Sequence, residues 1–476
     1  MSGPRLRTPG QAGPGTRLAH TGEDHGARAV LADLFPAPVQ PATRRAGIAR
    51  WAFPLVQVAA IAVGTLVMLI RIGGPRPSWD RIYAEDPGLY LPAALAHPWH
   101  LLQAYGGYLQ LIPRAIAQIA ALLPIQHASV VFAVGGALVA SGCALFAYHA
   151  SAGHIASGWL RAMLGLSVLL LPVAQLEIAD NGVNSIWYLL VALFWAALWR
   201  PRTPAGAWVA AIVAFAAAAS SSLALIYAPL FAARMLVVPR RSREQAATLG
   251  WALGSVLQIV VILTSHISRF SPRDPLNAVI FYSRDVLVPS LGWHDSWHLR
   301  DLIGLVGATV LVGGLIAVVL VAAAGTQNRR CRVFVVTAVA TGLVITAISA
   351  AVAWGGPDQL DTVTVEHGAR YSTVPILLLV AALIVSADSF ARRWWPEPKA
   401  IVAVAVLVAV LGAGWITDFR YPVRRYAGPT SAWVTTVDQW LRYCQHTPAG
   451  TITVTFTDWW GKARLANTFP CSSLRR

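Results

Sequence analysis

Acidic side chains are scarce in this sequence: aspartate and glutamate number 21 in 476 residues, against 37 lysines and arginines. Charged residues make up only 12% of the chain, whereas a soluble domain carries about 25%. Hydrophobic residues make up 56%. This composition excludes an ordinary soluble protein and predicts an all-α polytopic membrane protein.

Lysine is nearly absent, with only Lys399 and Lys462, so arginine supplies almost the whole net charge of +16. The arginines occur in short clusters between apolar segments rather than in one continuous basic stripe. Such clusters are typical of the cytoplasmic loops of membrane proteins. We therefore expect a lipid bilayer as the partner of the basic residues, and no nucleic acid.

Short catalytic motifs are also missing, since the sequence contains no C-x-x-C, Walker A, H-E-x-x-H or G-x-S-x-G. No motif therefore assigns the chain to thiol–disulfide exchange, P-loop chemistry, zinc proteolysis or the α/β-hydrolases. Residues 1–50 are rich in proline, glycine and arginine and lack the apolar run of a signal peptide. We expect them to form a disordered basic cytoplasmic tail.

Eleven apolar segments follow this tail and define a transmembrane domain over residues 51–418. Several are shorter than the roughly 20 residues that an untilted span prefers, and short or broken helices are common where a cavity enters the membrane. The segments are residues 51–70, 128–149, 159–175, 184–199, 206–220, 222–238, 247–265, 301–324, 333–354, 371–388 and 400–418.

Arginine clusters predict the orientation of these segments. If all eleven cross the plasma membrane, every cluster lies on the cytoplasmic side, with the N-terminus cytoplasmic and the C-terminus extracytoplasmic. The clusters are Arg44/Arg45/Arg50, Arg161, Arg200/Arg202, Arg240/Arg241/Arg243, Arg329/Arg330/Arg332 and Arg392/Arg393.

The count of eleven depends on residues 206–238, which we interpret as a hairpin that turns at Ser220-Ser221-Ser222. If these residues formed one long helix, the count would be ten and later loops would invert. The Arg240 and Arg329 clusters would then lie outside, so the hairpin is preferred.

The outer regions are predicted to be a long first loop at 71–127, smaller loops and a C-terminal segment at 419–476. The first loop contains an amphipathic pattern starting at Pro113, a favoured first residue of a helix. Apolar residues would form one face and Arg114 with Gln118 the other. About eleven residues rise only roughly 16 Å, so we expect this helix to lie in the membrane interface. The apolar face is Ile112, Ile116, Ile119, Ala120 and Leu123.

Two of the four cysteines, Cys444 and Cys471, fall in the outer C-terminal segment. Because that side is oxidising, the pair suggests a disulfide, although two free thiols remain an alternative. The alternation of threonine with apolar residues over 451–456 predicts a strand between them.

The first outer loop concentrates acidic residues, with Asp80, Glu85 and Asp86 within seven positions. One interpretation is that Asp86 caps a short helix starting at Pro87, with Glu85 merely solvated. The other is a carboxylate held at the membrane surface as a general base for a hydroxyl acceptor. The two interpretations are compatible.

A second polar group recurs at helical spacing in Glu177, Asp180, Asn181 and Asn184. If this stretch is helical, the four side chains form one face and line a cavity for a hydroxylated substrate; the alternative is a solvated turn.

Three further candidate groups lie at the predicted outer side. Arg370-Tyr371 and the preceding His367 flank the tenth apolar segment, and an arginine there either snorkels to lipid or binds phosphate. Arg269, Arg273 and Arg284, in the loop 266–300, have the same two interpretations. Tyr105 and Tyr108 form either part of an aromatic belt or a stacking platform for sugar.

The layout of Glu85-Asp86, the Tyr105–Arg114 stretch, the Glu177–Asn184 face and Arg370-Tyr371 resembles the GT-C class of integral-membrane glycosyltransferases. The arginine-rich chain with its cysteine-bearing tail is similar to actinobacterial membrane proteins of this type. The resemblance implies a GT-C-like fold of about eleven transmembrane helices. It also implies a polyprenyl-phosphate sugar donor and inverting transfer to an envelope glycan, lipid or protein.

The resemblance also implies roles for the candidate residues. Asp86 would be the base, with Glu85 second, and Arg370 and Arg114 would stabilise the phosphate charge of the leaving group. The remaining candidates would bind substrate: Asp80, Tyr105, Tyr108, Glu177, Asn181, Asn184, His367 and Tyr371. No cofactor is required by this chemistry, and a divalent cation is compatible with it.

Two other classes of function remain alternatives. In a transporter or flippase of envelope precursors, the same polar groups would line a path. Transporters usually carry ionisable groups near mid-membrane, whereas the acidic residues here cluster on one side. The other alternative is a non-catalytic scaffold for envelope synthesis.

Overall fold

Helices dominate the computed structural model of the protein. It describes residues 21–37, 49–71, 77–80, 82, 85–97, 99–174, 178–239, 243–265, 275–292, 294–324, 328–353, 369–420, 433–457 and 463–474.

Each of the eleven apolar segments contains a helix. The segment 222–238 begins with a 3-10 turn, Ser222–Tyr227, that leads into an α-helix. In chain order the helices are α1 Thr21–Ala32, α2 Ala49–Arg71, α3 Leu91–Ala96, α4 Leu111–Ala121, α5 Ala128–Ala150, α6 Gly158–Leu170, α7 Ser185–Leu198, α8 Pro204–Ala218, α9 Ala228–Val237, α10 Ala246–Ser265, α11 Pro275–Phe281, α12 His294–Ala324, α13 Arg329–Ala353, α14 Ala369–Trp394, α15 Pro398–Thr417 and α16 Trp433–His446.

Seven helical stretches in the described part of the chain are long and apolar enough to cross a membrane. The protein is therefore an all-α multi-pass membrane protein. The seven are Phe53–Arg71, Ile125–Gly153, Arg243–Ser265, His298–Val321, Arg329–Ala351, Arg370–Trp394 and Pro398–Thr417. Shorter apolar helices are Leu111–Ala121, Gly158–Leu170, Ser185–Leu198, Pro204–Ala218 and Ser222–Val237.

Helices α7 and α14 form the centre of the bundle. All fourteen residues of α7 are buried, and 89% of the apolar window of α14 is buried. A helix that is hydrophobic on all sides belongs in an interior. By contrast, only 17% of the corresponding windows of α2 and α12 is buried. Their exposed apolar side chains, such as Leu66 and Val306, form a surface suited to lipid.

The segment 206–238 is a hairpin, as predicted. Helix α8 ends at Ala218, and Ser221 starts the next turn by accepting a hydrogen bond from Leu223 N at 3.3 Å. The residues before and after the hairpin meet directly, because Arg200 Nε lies 2.7 Å from Glu244 Oε2. The interpretation of 206–238 as one long helix is therefore wrong.

Contacts between the connecting segments divide the bundle into two ends. At one end, which we call the loop end, the first loop contacts the turn after α8, since Ile112 N donates to Ser220 Oγ at 3.1 Å. The C-terminal segment joins it there, because Trp433 Nε1 donates to Ile125 O at 2.8 Å. The loop end therefore contains both the first loop and the C-terminal segment.

At the opposite end, which we call the arginine end, the N-terminal segment meets the connections between later helices. Arg200 Nη1 donates to Phe35 O at 3.2 Å, and Arg329 Nε lies 3.0 Å from Asp33 Oδ2. Ser157 N donates to Asp388 Oδ1 at 3.0 Å. The predicted grouping of arginine clusters at one end is found for these residues.

The N-terminal segment differs from the sequence expectation. Residues 21–32 form α1, and Leu34 and Phe35 behind it are only 4% and 1% exposed. The prediction of a wholly disordered tail over 1–50 is therefore wrong for residues 21–37, because two apolar side chains insert into the main core. Residues 1–20 and 38–48 lie outside the described part.

The C-terminal segment forms a small α/β unit. Helix α16 precedes the antiparallel strands β1, Thr451–Thr457, and β2, Ala463–Pro470. The strand predicted at 451–456 is confirmed. Cys444 and Cys471 form the predicted disulfide, with Cα atoms 5.3 Å apart.

Candidate functional site

The short connection between α6 and α7 is the centre of the candidate site. Residues 178–184, which we call the link, form turns rather than a helix, and Asp180 has a positive φ of 56°. The prediction of a helical polar face is therefore wrong here. The solvated turn is wrong as well, because Asp180, Asn181 and Asn184 are at most 8% exposed. Glu177 lies outside the described residues.

Hydrogen bonds within the link position its two asparagines. Asn184 N donates to Asn181 Oδ1 at 2.8 Å, and Trp187 Nε1 donates to Asn184 Oδ1 at 3.3 Å. Ser185 Oγ donates to Gly182 O at 2.7 Å. These contacts shape the link so that the amide groups of Gly182 and Val183 face the first loop.

Asp86 binds those two amides. It lies in a π-helical turn, Asp86–Tyr90, and is fully buried. Its carboxylate oxygens accept from Gly182 N at 2.8 Å and from Val183 N at 2.9 Å. The approach requires glycine at 182, where an added Cβ would lie 2.7 Å from Phe132. Asp86 does not cap its own helix, so the helix-cap interpretation is wrong.

Burial raises the pKa of the Asp86 carboxyl from 3.8 to about 8. The amide of Gly182 lowers this pKa, neighbouring Glu85 raises it, and the amide of Val183 lowers it again, but loss of solvation outweighs them. Loss of solvation therefore favours the protonated form of Asp86. Glu85, by contrast, is partly exposed, so it is the carboxylate of the pair that a substrate can reach.

Tyr105 and Tyr108 flank a tight turn beside this acidic pair. Both central residues, Gly106 and Gly107, have positive φ, 62° and 88°, as a type I′ turn requires. Tyr105 N donates to Tyr108 O at 2.9 Å and Tyr108 N to Tyr105 O at 3.3 Å. Ser265 Oγ fixes the turn against α10 by donating to Gly107 O at 3.2 Å.

Tyr90 connects this turn to the acidic pair and to Arg114. Its ring packs edge-on against Tyr105 with centroids 5.7 Å apart, and its hydroxyl is hydrogen-bonded to Gln110. Burial raises the pKa of Tyr90, and Tyr108, Tyr105 and the acidic pair act in the same direction. Tyr90 and Gln110 were not among the candidates predicted from sequence; they lie four residues after Asp86 and two residues after Tyr108.

Arg114 lies over the ring of Tyr90, 5.6 Å from its centroid. Its Nη1 donates to Gln103 Oε1 at 3.3 Å and its Nη2 to Ala104 O at 3.4 Å. Burial lowers the pKa of the guanidinium. An amide oxygen, a carbonyl and an aromatic ring do not neutralise its charge, so Arg114 remains a cation at the loop end.

Helix α4, which carries Arg114, is turned differently from its predicted orientation. It starts at Leu111, and both Arg114 and Gln118 are buried, whereas Ile119 and Leu123 are 55% and 45% exposed. The polar face points into the protein because the loop itself supplies acceptors and donors. Trp99 N, for example, donates to Gln118 Oε1 at 3.0 Å.

Arg370 and Tyr371 approach the link from the start of α14. The Arg370 guanidinium lies 5.0 Å from the centroid of the Tyr371 ring, and that ring packs edge-on against Trp187 at 5.4 Å. Since Trp187 binds Asn184, a chain of contacts joins Arg370 to the link that Asp86 holds. His367 lies outside the described residues.

Asp80 occupies the start of the first loop, in the 3-10 turn Ser78–Asp80. This turn is held against α5, because Ser129 Oγ donates to Trp79 O at 2.7 Å. The remaining candidates divide into two groups, one around the link and one around Tyr90.

Asp285 is a further buried acid, which was not predicted from the sequence. Asp285 lies in another π-helical turn, Tyr282–Leu287, and its Oδ2 is 2.9 Å from Arg284 Nη2. Burial raises its pKa to about 6, although Arg284 opposes the rise. The signal available in the sequence was an adjacent arginine and aspartate inside an otherwise apolar stretch.

Among the described residues, no three histidine, cysteine, aspartate or glutamate side chains form a group that could hold a metal ion. No protein-family model matches the sequence, and the search of curated proteins gave no match.

Proposed function

We propose that the chain is an integral-membrane glycosyltransferase of the GT-C type. It would transfer a sugar from a polyprenyl-phosphate donor to an envelope glycan, lipid or protein at the loop end, with inversion. The observation that carries the proposal is the placement of the Glu85-Asp86 pair. One carboxyl holds the link between α6 and α7. The other, that of Glu85, is partly exposed and acts electrostatically on Tyr90, whose ring Arg114 contacts.

The structure supports different roles for Glu85 and Asp86 from those expected from the sequence, where Asp86 was the first candidate for the base. Glu85 is the proposed proton acceptor for the acceptor hydroxyl, because a general base must come within hydrogen-bond reach of substrate. Asp86 is a positioning residue, because both of its oxygens already bind amides and burial raises its pKa.

Two arginines are proposed to stabilise the departing polyprenyl phosphate. Inverting transfer from such a donor develops negative charge on a phosphate oxygen, and fixed positive charge lowers the barrier. Arg114 retains its charge among neutral acceptors, and Arg370 contacts the aromatic groups next to the link. Tyr105 and Tyr108 would supply faces on which a sugar ring packs.

The loop end is proposed to be extracytoplasmic, with eleven membrane crossings. In support, the N-terminal segment lies at the arginine end and the C-terminal segment at the loop end, as an odd number of crossings requires. Arginine-rich connections favour the cytoplasm. A reporter fused after Arg476 should be periplasmic, and one inserted near Arg330 cytoplasmic. A cytoplasmic signal at Arg476 would contradict the orientation.

Transport of an envelope precursor is the competing function, and one observation favours it. The ion pair of Arg284 and Asp285 is buried, with both side chains less than a tenth exposed, and buried ionisable pairs often mark substrate paths in membranes. Glycosyl transfer is preferred because Glu85 is partly exposed and shares the loop end with Arg114, whose contacts are with neutral groups.

The test is transfer by the purified full chain in nanodiscs, supplied with polyprenyl-phosphate sugars and glycan, lipid or peptide acceptors. Formation of a glycosylated product, lost in Glu85→Gln, is the expected result. Absence of product from the native chain across a broad donor set, together with movement of the lipid-linked sugar between leaflets, would favour transport instead.

A further inference from the structure

A cavity of about 370 Å³ lies at the arginine end, on the opposite side of the bundle from Asp86. Its walls come from the N-terminal segment, the turn after α5, the first turn of α13 and the last turns of α14. The residues that matter here are Asp33, His154, Arg329, Arg330, Ser389 and Arg392.

Positive charge exceeds negative charge around this cavity. Asp33 contacts Arg329 Nε at 3.0 Å and Arg330 Nε at 3.5 Å, so one carboxylate faces two guanidiniums. Arg392 pairs with Asp388 at 3.0 Å. Among these described groups, three arginines therefore face two carboxylates.

Asp388 contributes little negative charge to the cavity itself. Its two oxygens also accept from the main-chain amides of Ala156 and Ser157 at 3.1 and 3.0 Å, which share its charge. The first turn of α13 adds the positive end of a helix dipole. The surplus therefore favours an anion.

Polar atoms that suit a phosphate ester line the same cavity. Ser389 Oγ accepts from Asn328 Nδ2 at 2.9 Å and also contacts the Cys331 thiol, so a polar group is fixed in the wall. His154 is 7% exposed, and its Nε2 has no hydrogen-bond partner within the described part of the chain. Burial lowers the pKa of His154 to about 3, so its neutral ring can pair with a protonated phosphate oxygen or a headgroup hydroxyl.

Position within the bundle indicates where the anion comes from. Arg329 begins α13, Arg392 lies two residues before the end of α14, and His154 follows the last turn of α5. These are ends of membrane-spanning helices, where the headgroups of a bilayer lie. Basic pockets at this level bind anionic headgroups.

We propose that this cavity binds a phosphate ester through Arg329, Arg330 and Arg392, and that the ester is the headgroup of an anionic lipid in the adjoining leaflet. The volume exceeds that of a bare phosphate and suits a small phosphorylated headgroup. The site is separate from the loop end and does not depend on the proposed transferase activity.

The experiment uses the purified full chain in phosphatidylcholine nanodiscs containing a minor fraction of phosphatidylglycerol. Native mass spectrometry counts the phosphatidylglycerol that stays bound after release from the nanodisc. The Arg329→Gln/Arg330→Gln variant should retain about tenfold less, since two charge-assisted contacts are lost. Arg332→Gln is the matched control, because Arg332 lies on the same helix, is exposed and does not line the cavity.

Asp33→Asn removes a negative charge from the cavity and keeps all of its arginines, so its expected effect on lipid retention is opposite to that of the arginine variants. It should increase retention several-fold, because it removes the carboxylate that competes for both arginines. Glycerol phosphate added to lipid-free detergent samples tests whether the ester is soluble rather than part of a lipid. If it stabilises the protein against unfolding, and only when Arg329 and Arg330 are present, the cavity binds the soluble ester.

Equal retention by the double variant and by Arg332→Gln would overturn the site. So would an unchanged or lower retention by Asp33→Asn. Neither readout measures sugar transfer, so failure here is distinguishable from failure of the proposed function.

Discussion

The two ends of the bundle bury polar groups in different ways. At the loop end, Asp86 is enclosed with main-chain amides and, among the described residues, pairs with no cation, so its pKa rises. At the arginine end, Asp33 and Asp388 face guanidiniums beside a cavity. Burial without a cation favours the protonated form of an acid, whereas the acids among the arginines leave a positive surplus for an outside anion.

The largest effect is expected from changing the exposed acid of the loop end. Glu85→Gln keeps the size of the side chain but removes the proton acceptor, so transfer should fall by roughly 10²-fold or more. Initial rates with a saturating polyprenyl-phosphate sugar measure the effect. The variant should unfold at the same temperature as the native chain, because Glu85 is not part of a core. Near-normal transfer would remove Glu85 from the mechanism.

Next in size is the disulfide that closes the loop end and has no equivalent in the described arginine end. Replacing Cys444 and Cys471 by serine opens a loop with a sequence separation of 27, which costs about 3 kcal/mol by the chain-entropy relation. We expect earlier proteolysis of the C-terminal segment and a lower unfolding temperature. Treatment of the native chain with reductant should reproduce both effects. If the double-serine variant keeps the protease resistance and unfolding temperature of the native chain, the disulfide contributes little to stability.

Asp86→Asn tests whether the buried acid is structural. Asparagine has one acceptor oxygen for two amides, so one amide donor would face the new NH₂ group, at a cost of about 1–3 kcal/mol. The variant should unfold earlier, and this makes it unsuitable as a silent probe of catalysis. Glu85→Gln, which changes the partly exposed acid of the same pair, is the control and should leave unfolding nearly unchanged. A loss of transfer without any loss of stability would return Asp86 to the role of base.

The same residue predicts a dependence on pH. Its folded-state pKa of about 8 exceeds the ordinary 3.8, so between these values the folded chain holds a proton that the unfolded chain has released. The free energy of unfolding should therefore fall as pH rises from about 4 to 8. Asp86→Asn should reduce this slope in thermal unfolding measured across that range. An equal slope in both proteins would assign it to other groups.

The smallest effect sharpens the contrast between cations at the two ends. Arg370→Lys keeps the charge but loses the planar fork and its stacking on Tyr371, so transfer should fall about tenfold. Arg392→Lys at the arginine end should leave transfer unchanged. Steady-state kinetics with varied donor concentration measure both variants. If the two variants transfer sugar at the same rate, Arg370 does not take part in binding the donor phosphate.

Periodicity and length were enough to predict the apolar helices, because burial in lipid or in the bundle imposes long hydrophobic runs on the sequence. The turn at Ser220 and the strand at Thr451 were also predictable, since a polar break and a two-residue alternation are local signals. The burial of Phe35 in the core was not predictable, because two adjacent apolar residues inside a polar segment are too few to show a hydrophobic periodicity.

The site was predictable in its residue types and not in its contacts. Asp86 was identified from its acidic neighbours, but its partners are main-chain amides at Gly182 and Val183, and an amide has no sequence signature. The orientation of Arg114 was missed for a related reason: its acceptors come from Gln103 and Ala104 in an irregular loop.

Trp433 donates to the carbonyl of Ile125, 308 residues earlier, and joins one apolar cluster with Tyr90, Ile116 and Val183. During synthesis the first loop is therefore made long before the segment that covers it. The apolar side chains of the first loop therefore stay exposed while every later helix is inserted. Chains stopped before α16 should expose this surface, and cells that make them would have to protect or degrade an otherwise assembled bundle.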